Sequence, residues 1–323
     1  MPVMLINPHS GKPLARSGNL LIDETGAVFE IVRDIPRIVK NEGYTKNFGF
    51  QWNKFSKVQL ESEAEGFDIS KRRFFAETLW PEHGLAGQDI LEVGSGAGRF
   101  SKIILENTKA NLYTIDFSEA VEANFNSNDC IAPGRFNIFQ ASIYELPFPP
   151  KSFDKVVCLG VLQHTPDFRS SVEALVDKAK CGGEIVVDFY PIKGWWTKIH
   201  AKYLLRPITR RLSNERLFSL INRNIDWLIY FEHTLHQLRL GFLSRFLPIV
   251  DIHGTLPKYL TDAEKREWAL LDTFDMFSPR YDNPQRIRDV VTMFQQCGAR
   301  VTFSGFVPFD GFEAAVVRAI RIK

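Results

Sequence analysis

Gly94-Ser-Gly-Ala-Gly98 lies where a short apolar run, Asp89-Ile-Leu-Glu-Val93, gives way to a helical pattern that begins at Arg99. Glycines at such a junction let backbone approach a ligand closely, and the following helix start offers unpaired N–H donors. Asp116 comes 18 residues after Gly98, at the tip of the next apolar run, Leu112-Tyr-Thr-Ile-Asp116. A carboxylate in that place can accept both ribose hydroxyls of an adenosine. The same loop serves nicotinamide and flavin cofactors, but their pattern needs a glycine at position 99, where this chain has Arg99. Glu92, two residues before the first glycine, suits a cationic ligand better than a pyrophosphate. The chemistry expected is capture of a cationic nucleoside, with a dinucleotide site or a ligand-free core as alternatives.

Such a site needs a sheet to hold it. Further strands are predicted at residues 136–140, 153–159 and 184–189, separated by helical segments. In one of these, 170–180, Val172, Leu175, Val176 and Ala179 share a helical face before Gly182-Gly183 stops it. A last helix over 284–296 and two strands over 300–303 and 314–320 complete the pattern. Strands separated by helices imply right-handed crossovers and a parallel sheet covered on both faces. The expected fold is α/β: a doubly wound, mostly parallel, seven-stranded sheet with a small N-terminal β module and a helical insertion. Five segments follow: a β module at 1–42, an aromatic-rich helical lid at 43–87, the ligand-binding core at 88–190, a helical acceptor-side insertion at 191–283, and the final helix and strands at 284–323.

Leu91-Glu-Val-Gly-Ser-Gly-Ala-Gly-Arg-Phe100 resembles motif I of the class I S-adenosylmethionine-dependent methyltransferases. Glu145-Leu-Pro-Phe148, Ser152-Phe-Asp-Lys-Val-Val157, Gly160-Val-Leu-Gln-His164 and Gly182-Gly183 follow in that family's order. The resemblance implies a Rossmann-like fold and S-adenosylmethionine as cofactor. Gly94 and Gly96 would then pass under the methionine part, Asp116 would hold the ribose, and Glu92 and Ser95 would also belong to the cofactor site. Phe117 would flank the adenine, Ser142 and Ile143 would meet its edge, and Leu159 would lie beneath the sulfonium. The family usually has Asp where Ser142 stands; a hydroxyl accepts from the adenine amino group more weakly. Asn7-Pro-His-Ser-Gly-Lys-Pro-Leu14 and Asp34-Ile-Pro-Arg-Ile-Val39 resemble a small zinc-ribbon module that accompanies some methyltransferases. Asn7 and Ser10 occupy its cysteine positions, so the resemblance implies loss of the metal.

Several residues carry two readings. His164, after the fourth core strand, is either a general base or a loop-shaping hydrogen-bonder. Asp275, with Trp268, Leu271 and Asp272 on one helix side, either orients a polar acceptor, acts as a base, or is a solvated acid on a half-buried helix. Arg73 could reach the cofactor's carboxylate or have a surface role, and Phe50, Gln51 and Trp52 could form a lid over that pocket or simply pack. Lys198, Lys202, Arg206, Arg210 and Arg211 recur at helix-like spacing that Pro207 would interrupt, as a phosphate patch or a solvated face. Trp195-Trp196 either stacks on an acceptor or anchors the insertion. His233 and His236 form an i, i+3 pair with no third evident ligand, so no metal is expected.

Bulk properties bound the partners. The 323 residues are 45% hydrophobic and 24% charged, enough for a sizeable core. With 40 basic and 38 acidic side chains, net charge is +2 and no continuous basic stripe is evident. A small-molecule acceptor is therefore expected ahead of tRNA, and a cofactor-binding scaffold without turnover stands as a further alternative. Cys130, Cys158, Cys181 and Cys297 are widely spaced with no CxxC pair, which points to reduced thiols in a cytoplasmic protein. No signal peptide or membrane span is expected.

Overall fold

The computed structural model of the chain describes residues 3–39, 69–255 and 261–322. Phe48, Phe50, Gln51, Trp52, Phe55 and Phe67 of the expected lid lie outside them. The chain divides into two compact units, one ending at Pro191 and resuming at Tyr281, the other spanning Ile192–Arg280.

In the first unit the parallel strands are β5 (Asp89–Val93), β6 (Asn111–Asp116), β7 (Phe136–Ala141), β8 (Phe153–Cys158) and β9 (Ala179–Phe189). β10 (Ala299–Phe309) and β11 (Phe312–Arg321) close one side as an antiparallel hairpin. The order β7-β6-β5-β8-β9-β11-β10 reverses direction only at β11. This is the seven-stranded, doubly wound arrangement expected. Four more strands extend it: β1 (Ala15–Ser17), β2 (Leu20–Ile22), β3 (Val28–Val32) and β4 (Ile35–Ile38). β4 pairs parallel with β7, Arg37 opposite Gln140 and Ile38 opposite Ala141, so the sheet has eleven strands. The N-terminal module therefore continues the core sheet and does not stand apart.

Near-continuous apolar runs make these parallel strands, because both faces are covered. Leu91 and Val93 face one side, where α4 (Phe168–Lys178) contributes Val172 and Leu175 and α9 (Ile287–Gln296) contributes Val290 and Phe294. Ile90 and Leu112 face the other, against Phe74 of α1 (Ile69–Thr78) and Ile103 and Ile104 of α2 (Arg99–Asn107). Each such fully buried side chain contributes about 1.5–3 kcal/mol. A last helix of this unit, α3 (Val121–Asn128), follows β6.

Two boundaries differ from the sequence reading. Gly182-Gly183 does not end a helix: α4 stops at Lys178, and β9 already runs from Ala179. Gly182, at φ 81, lies in the stretch where pairing with β8 shifts register between Phe153 and Lys155. β10 and β11 are longer than expected because Asp310 and Gly311, at φ 50 and 84, form a tight primed turn that keeps them paired.

The second unit is helical: α5 (Ala201–Thr209), α6 (Asn214–Gln237), α7 (Ile252–Thr255) and α8 (Asp262–Phe277). Ser213 caps α6 by accepting from the Arg216 N–H, and Thr261 with Glu264 forms a capping box on α8. Ile221 and Ile225 of α6 and Leu271 and Phe274 of α8 are buried as the two helices pack. Pro207 does not interrupt α5; it sits in the last turn, where little of the helix remains to be broken. Among the described residues no helix is long and apolar enough to cross a membrane.

Candidate functional site

β5 delivers its chain into the glycine turn, and the turn hangs on β6. The Gly94 and Ser95 N–H groups both donate to the Ile115 carbonyl, at 2.8 and 3.0 Å. Gly94 and Gly98 adopt φ 82 and 93, in the left-handed region that glycine alone enters cheaply. Space forbids a side chain as well. A Cβ on Gly94 would lie 2.4 Å from Val161 Cγ2, and one on Gly98 would lie 2.3 Å from Asn124 Oδ1. The turn is thus pressed between the β8 loop and α3.

Two carboxylates fix it. Glu92, 4% exposed, accepts from Ser101 Oγ at 2.5 Å and Thr114 Oγ1 at 2.8 Å. It therefore ties the first turn of α2 to β6, and burial pushes its carboxyl up to about 7. Asp116, half-buried at the tip of β6, accepts from the Gly96 N–H at 2.8 Å on one oxygen. Its other oxygen takes the Ser118 N–H and hydroxyl, at 2.8 and 2.7 Å. Burial raises its pKa, and these hydrogen bonds oppose that rise. A carboxylate has about four lone-pair sites, so Asp116 retains acceptor capacity.

β5, β6, β7 and β8 are parallel neighbours, so the residues after them share one edge of the sheet. Half-buried Phe117 follows β6, Ser142 and Ile143 (both buried) follow β7, and buried Leu159 follows β8. Ser142 Oγ accepts from the Tyr144 N–H at 3.2 Å, which shapes its own loop. His164 is 6% exposed and lies in a 3-10 turn, with Nδ1 3.2 Å from the Tyr281 carbonyl and its ring edge-on to Tyr190. A carbonyl only accepts, so Nδ1 carries the proton.

Arg73 does not stand ready for a ligand carboxylate, as its position in the sequence suggested. Its Nε donates to Glu77 at 2.7 Å, and its Nη2 pairs with Asp188 near the end of β9. The other Asp188 oxygen takes the Gly160 N–H. Arg73 thereby fixes the loop after β8 through a carboxylate. Glu77 is fully buried and is pushed up to about 7 by that burial, against the pull of Arg73.

Sequence reasoning missed Asp188, Val161, Gln163 and Asn283. An acid inside the apolar run 184–189 was the available signal for Asp188; Val161 and Gln163 lie within the Gly160–His164 motif, which gave them no role of their own, and nothing local marks Asn283. Gln163 is fully buried, and among the described residues neither polar atom of its amide has a hydrogen-bond partner. Its own carbonyl accepts from the Asn283 N–H at 2.7 Å. In the glycine turn, Ser95 is 7% exposed and its hydroxyl is likewise without a partner among the described residues. Buried polar groups are rarely left unmade, so an orphaned hydroxyl in a left-handed glycine turn fits a polar ligand seated there.

In the second unit, Asp275 lies half-buried on α8 beside buried Phe274 and Phe277, with Asp272 half-buried one turn earlier. Trp195 and Trp196 are exposed and meet edge to face. The basic series does not act as one patch: Arg206 is 7% exposed and donates to the Met276 and Pro279 carbonyls at 3.2 and 2.6 Å. In the N-terminal strands, Asn7 and Ser10 both donate to Asp23 Oδ2, at 2.6 and 2.7 Å, so side-chain hydrogen bonds hold that loop together.

Residues 91–187 match the family model described as a methyltransferase domain. They form a class I, Rossmann-like domain of the S-adenosylmethionine-dependent kind. Among curated proteins, the tRNA U34 carboxymethyltransferase of Nautilia profundicola is 28% identical over 114 residues, covering 35% of this chain and 38% of that protein. The ubiquinone biosynthesis O-methyltransferase of Pseudomonas aeruginosa is 29% identical over 139 residues, covering 42% and 60%. The chain thus spans 38% to 60% of the length of these relatives. Among solved structures, magnesium protoporphyrin IX methyltransferase from Synechocystis, with bound SAH, superposes with a TM-score of 0.47 at 12% identity, over 86% of this chain and 96% of that one.

Proposed function

We propose, from a chain whose residues 91–187 are a methyltransferase domain, that the protein transfers a methyl group from S-adenosylmethionine to an oxygen, nitrogen or carbon of a small metabolite. The observation that carries this reading is the glycine turn, whose unpartnered Ser95 hydroxyl sits in the loop whose Gly96 N–H engages Asp116. Ser95, in the turn that leads into α2, would take the amino-acid end of the cofactor. Asp116 would accept from the ribose hydroxyls, and the Gly96 and Ser118 donors hold it in place for that. Phe117, Ser142 and Ile143 would enclose the adenine, and Leu159 would underlie the sulfonium. Glu92 and Arg73 act one step removed, by fixing α2 and the β8 loop.

S-adenosylmethionine supplies a methyl already activated on a sulfonium, so positioning provides much of the rate. A base is needed only when the acceptor must lose a proton. His164 suits that task through its tautomer: Nδ1–H donates to the Tyr281 carbonyl, which makes Nε2 the basic nitrogen.

The near-balanced charge and the likeness to a ubiquinone biosynthesis O-methyltransferase support a small-molecule acceptor. A tRNA acceptor is the second reading, favoured by the similarity to a tRNA carboxymethyltransferase. Incubation with methyl-labelled S-adenosylmethionine, in parallel with fractionated metabolites and with total tRNA, tests both. Label in a small molecule that disappears with Asp116→Ala supports the proposal. Label in tRNA alone replaces it with the second reading, and absence of cofactor uptake by calorimetry overturns both.

A further inference from the structure

The second unit holds a cluster unrelated to the cofactor turn. Glu232 and His236 lie one turn apart on α6, and His253 comes from α7. Glu232 is fully buried, and among the described residues its only ion-pair partners are these two imidazoles. Its Oε1 is 3.2 Å from His236 Nε2, and its two oxygens are 3.0 and 2.9 Å from His253 Nδ1. The three ligating atoms all lie within 4.8 Å of one another.

We propose that Glu232, His236 and His253 form a binding site for a divalent cation of the zinc type.

Three observations carry it. First, the separations suit the ion. Arms of about 2.0–2.1 Å at tetrahedral angles place neighbouring ligand atoms about 3.3 Å apart, close to the two contacts that Glu232 makes. Second, His236 Nε2 is buried and, among the described residues, makes no hydrogen bond of acceptable geometry, although it lies beside the carboxylate. A nitrogen near an acceptor but not bonded to it is placed to share a third body with that acceptor. Third, the His236 ring is held by close packing, because a Cβ on Gly241 would come within 2.8 Å of its Cε1, 3.0 Å of Nδ1 and 3.1 Å of Nε2. Two imidazoles and one carboxylate form a borderline set that selects zinc over calcium or magnesium, which prefer all-oxygen cages.

The rings of His236 and His253 stack at 3.9 Å with 13° between planes, so one ring must turn for both nitrogens to aim at one ion. His253, with 37% of its side chain exposed and on the short helix α7, is the one with room to turn. The exposure of His253 leaves room on its side for a fourth ligand, water or an exchangeable group, the pattern of an open site and not a closed structural one.

The test uses the full chain, stripped with chelator, then titrated with zinc chloride by calorimetry and with cobalt chloride by visible absorption. One equivalent of zinc with a dissociation constant below micromolar, and cobalt bands of a four-coordinate ion, are the expected results. Loss of a supporting outer group costs metal sites about 10–100-fold in affinity, so loss of a ligand in His253→Ala or Glu232→Gln should cost at least ~100-fold. Far-UV circular dichroism and S-adenosylmethionine binding report whether each variant is folded, and His233→Ala, which removes a neighbouring imidazole outside the set, should bind zinc as the parent does. No uptake by the folded parent, or unchanged uptake in a folded His253→Ala, overturns the proposal.

Discussion

Replacing Gly94 by alanine tests how the cofactor turn is built. Two penalties add at this position. The backbone sits at φ 82, which costs an L-residue about 1–2 kcal/mol. The new methyl would fall 2.4 Å from Val161 Cγ2 and 2.7 Å from Cγ1, and overpacking of this kind costs about 1–3 kcal/mol. Gly94→Ala should therefore lower stability by ~2–5 kcal/mol, read as a shift in the urea midpoint. The second penalty belongs to one neighbour and can be removed. Val161→Ala alone should cost ~1 kcal/mol, the loss of two half-buried methyls. In the double variant the two closest contacts are gone, leaving the position 161 Cβ at 3.0 Å, while the backbone strain remains, so the two changes should be less than additive by ~1–2 kcal/mol. Urea titrations of the four proteins, each with and without S-adenosylhomocysteine, give both the coupling and its effect on the site. A Gly94→Ala cost below ~0.5 kcal/mol, or strict additivity with Val161→Ala, would refute the reasoning that the β8 loop sets the shape of the turn.

Glu92 should give stability a pH signature. Its folded pKa is raised from 4.5 to about 7, so between those values the folded state holds a proton that the unfolded state has lost. Stability then falls as pH rises through that window, by ~3 kcal/mol at about 1.36 kcal/mol per pH unit; the difference between parent and Glu92→Gln, in urea titrations at pH 5 and 8, isolates this group from Glu77, which acts in the same direction. Ser95→Ala removes an unpartnered buried hydroxyl, so the ligand-free protein should be no less stable, while calorimetry should show S-adenosylmethionine affinity lower by ~3–10-fold, one hydrogen bond's worth. Asp116→Ala breaks three hydrogen bonds to the loop and should lose at least ~2 kcal/mol of stability as well as at least ~10-fold in cofactor affinity; a change in affinity with unchanged stability would mean that the carboxylate does not brace the turn. Arg206→Leu should destabilise the helical unit by ~2–4 kcal/mol, because two carbonyls lose a charged donor; a purely surface arginine would give no measurable change in the thermal transition.

Local pattern already specified the catalytic-type core. Leu91 to Gly98 is legible because a buried parallel strand must be apolar on both faces, and the turn after it needs residues tolerant of positive φ. Asp116 was legible for a similar reason: a strand tip is defined by where the apolar run stops. The Asp310-Gly311 turn was also written in the chain, as an acid-glycine pair between strand-like runs, and it went unread because the flanking alternation is irregular. Other features depended on pairing that no window of sequence contains. That β4 adds to β7, that Arg73 finds Asp188 115 residues away, and that Glu232 meets His253 across α6 and α7 are outcomes of how whole elements pack. Periodicity fixes which face of an element is buried, but not which partner lies against it. Charge follows the same division: the spacing of Arg206 suggested a surface row, and only tertiary burial turned it inward onto two carbonyls. Sequence determined the turn and the carboxylate next to it, since both are set by backbone conformation within a few residues; tertiary structure decided which side chains brace them, since that depends on contacts between distant segments.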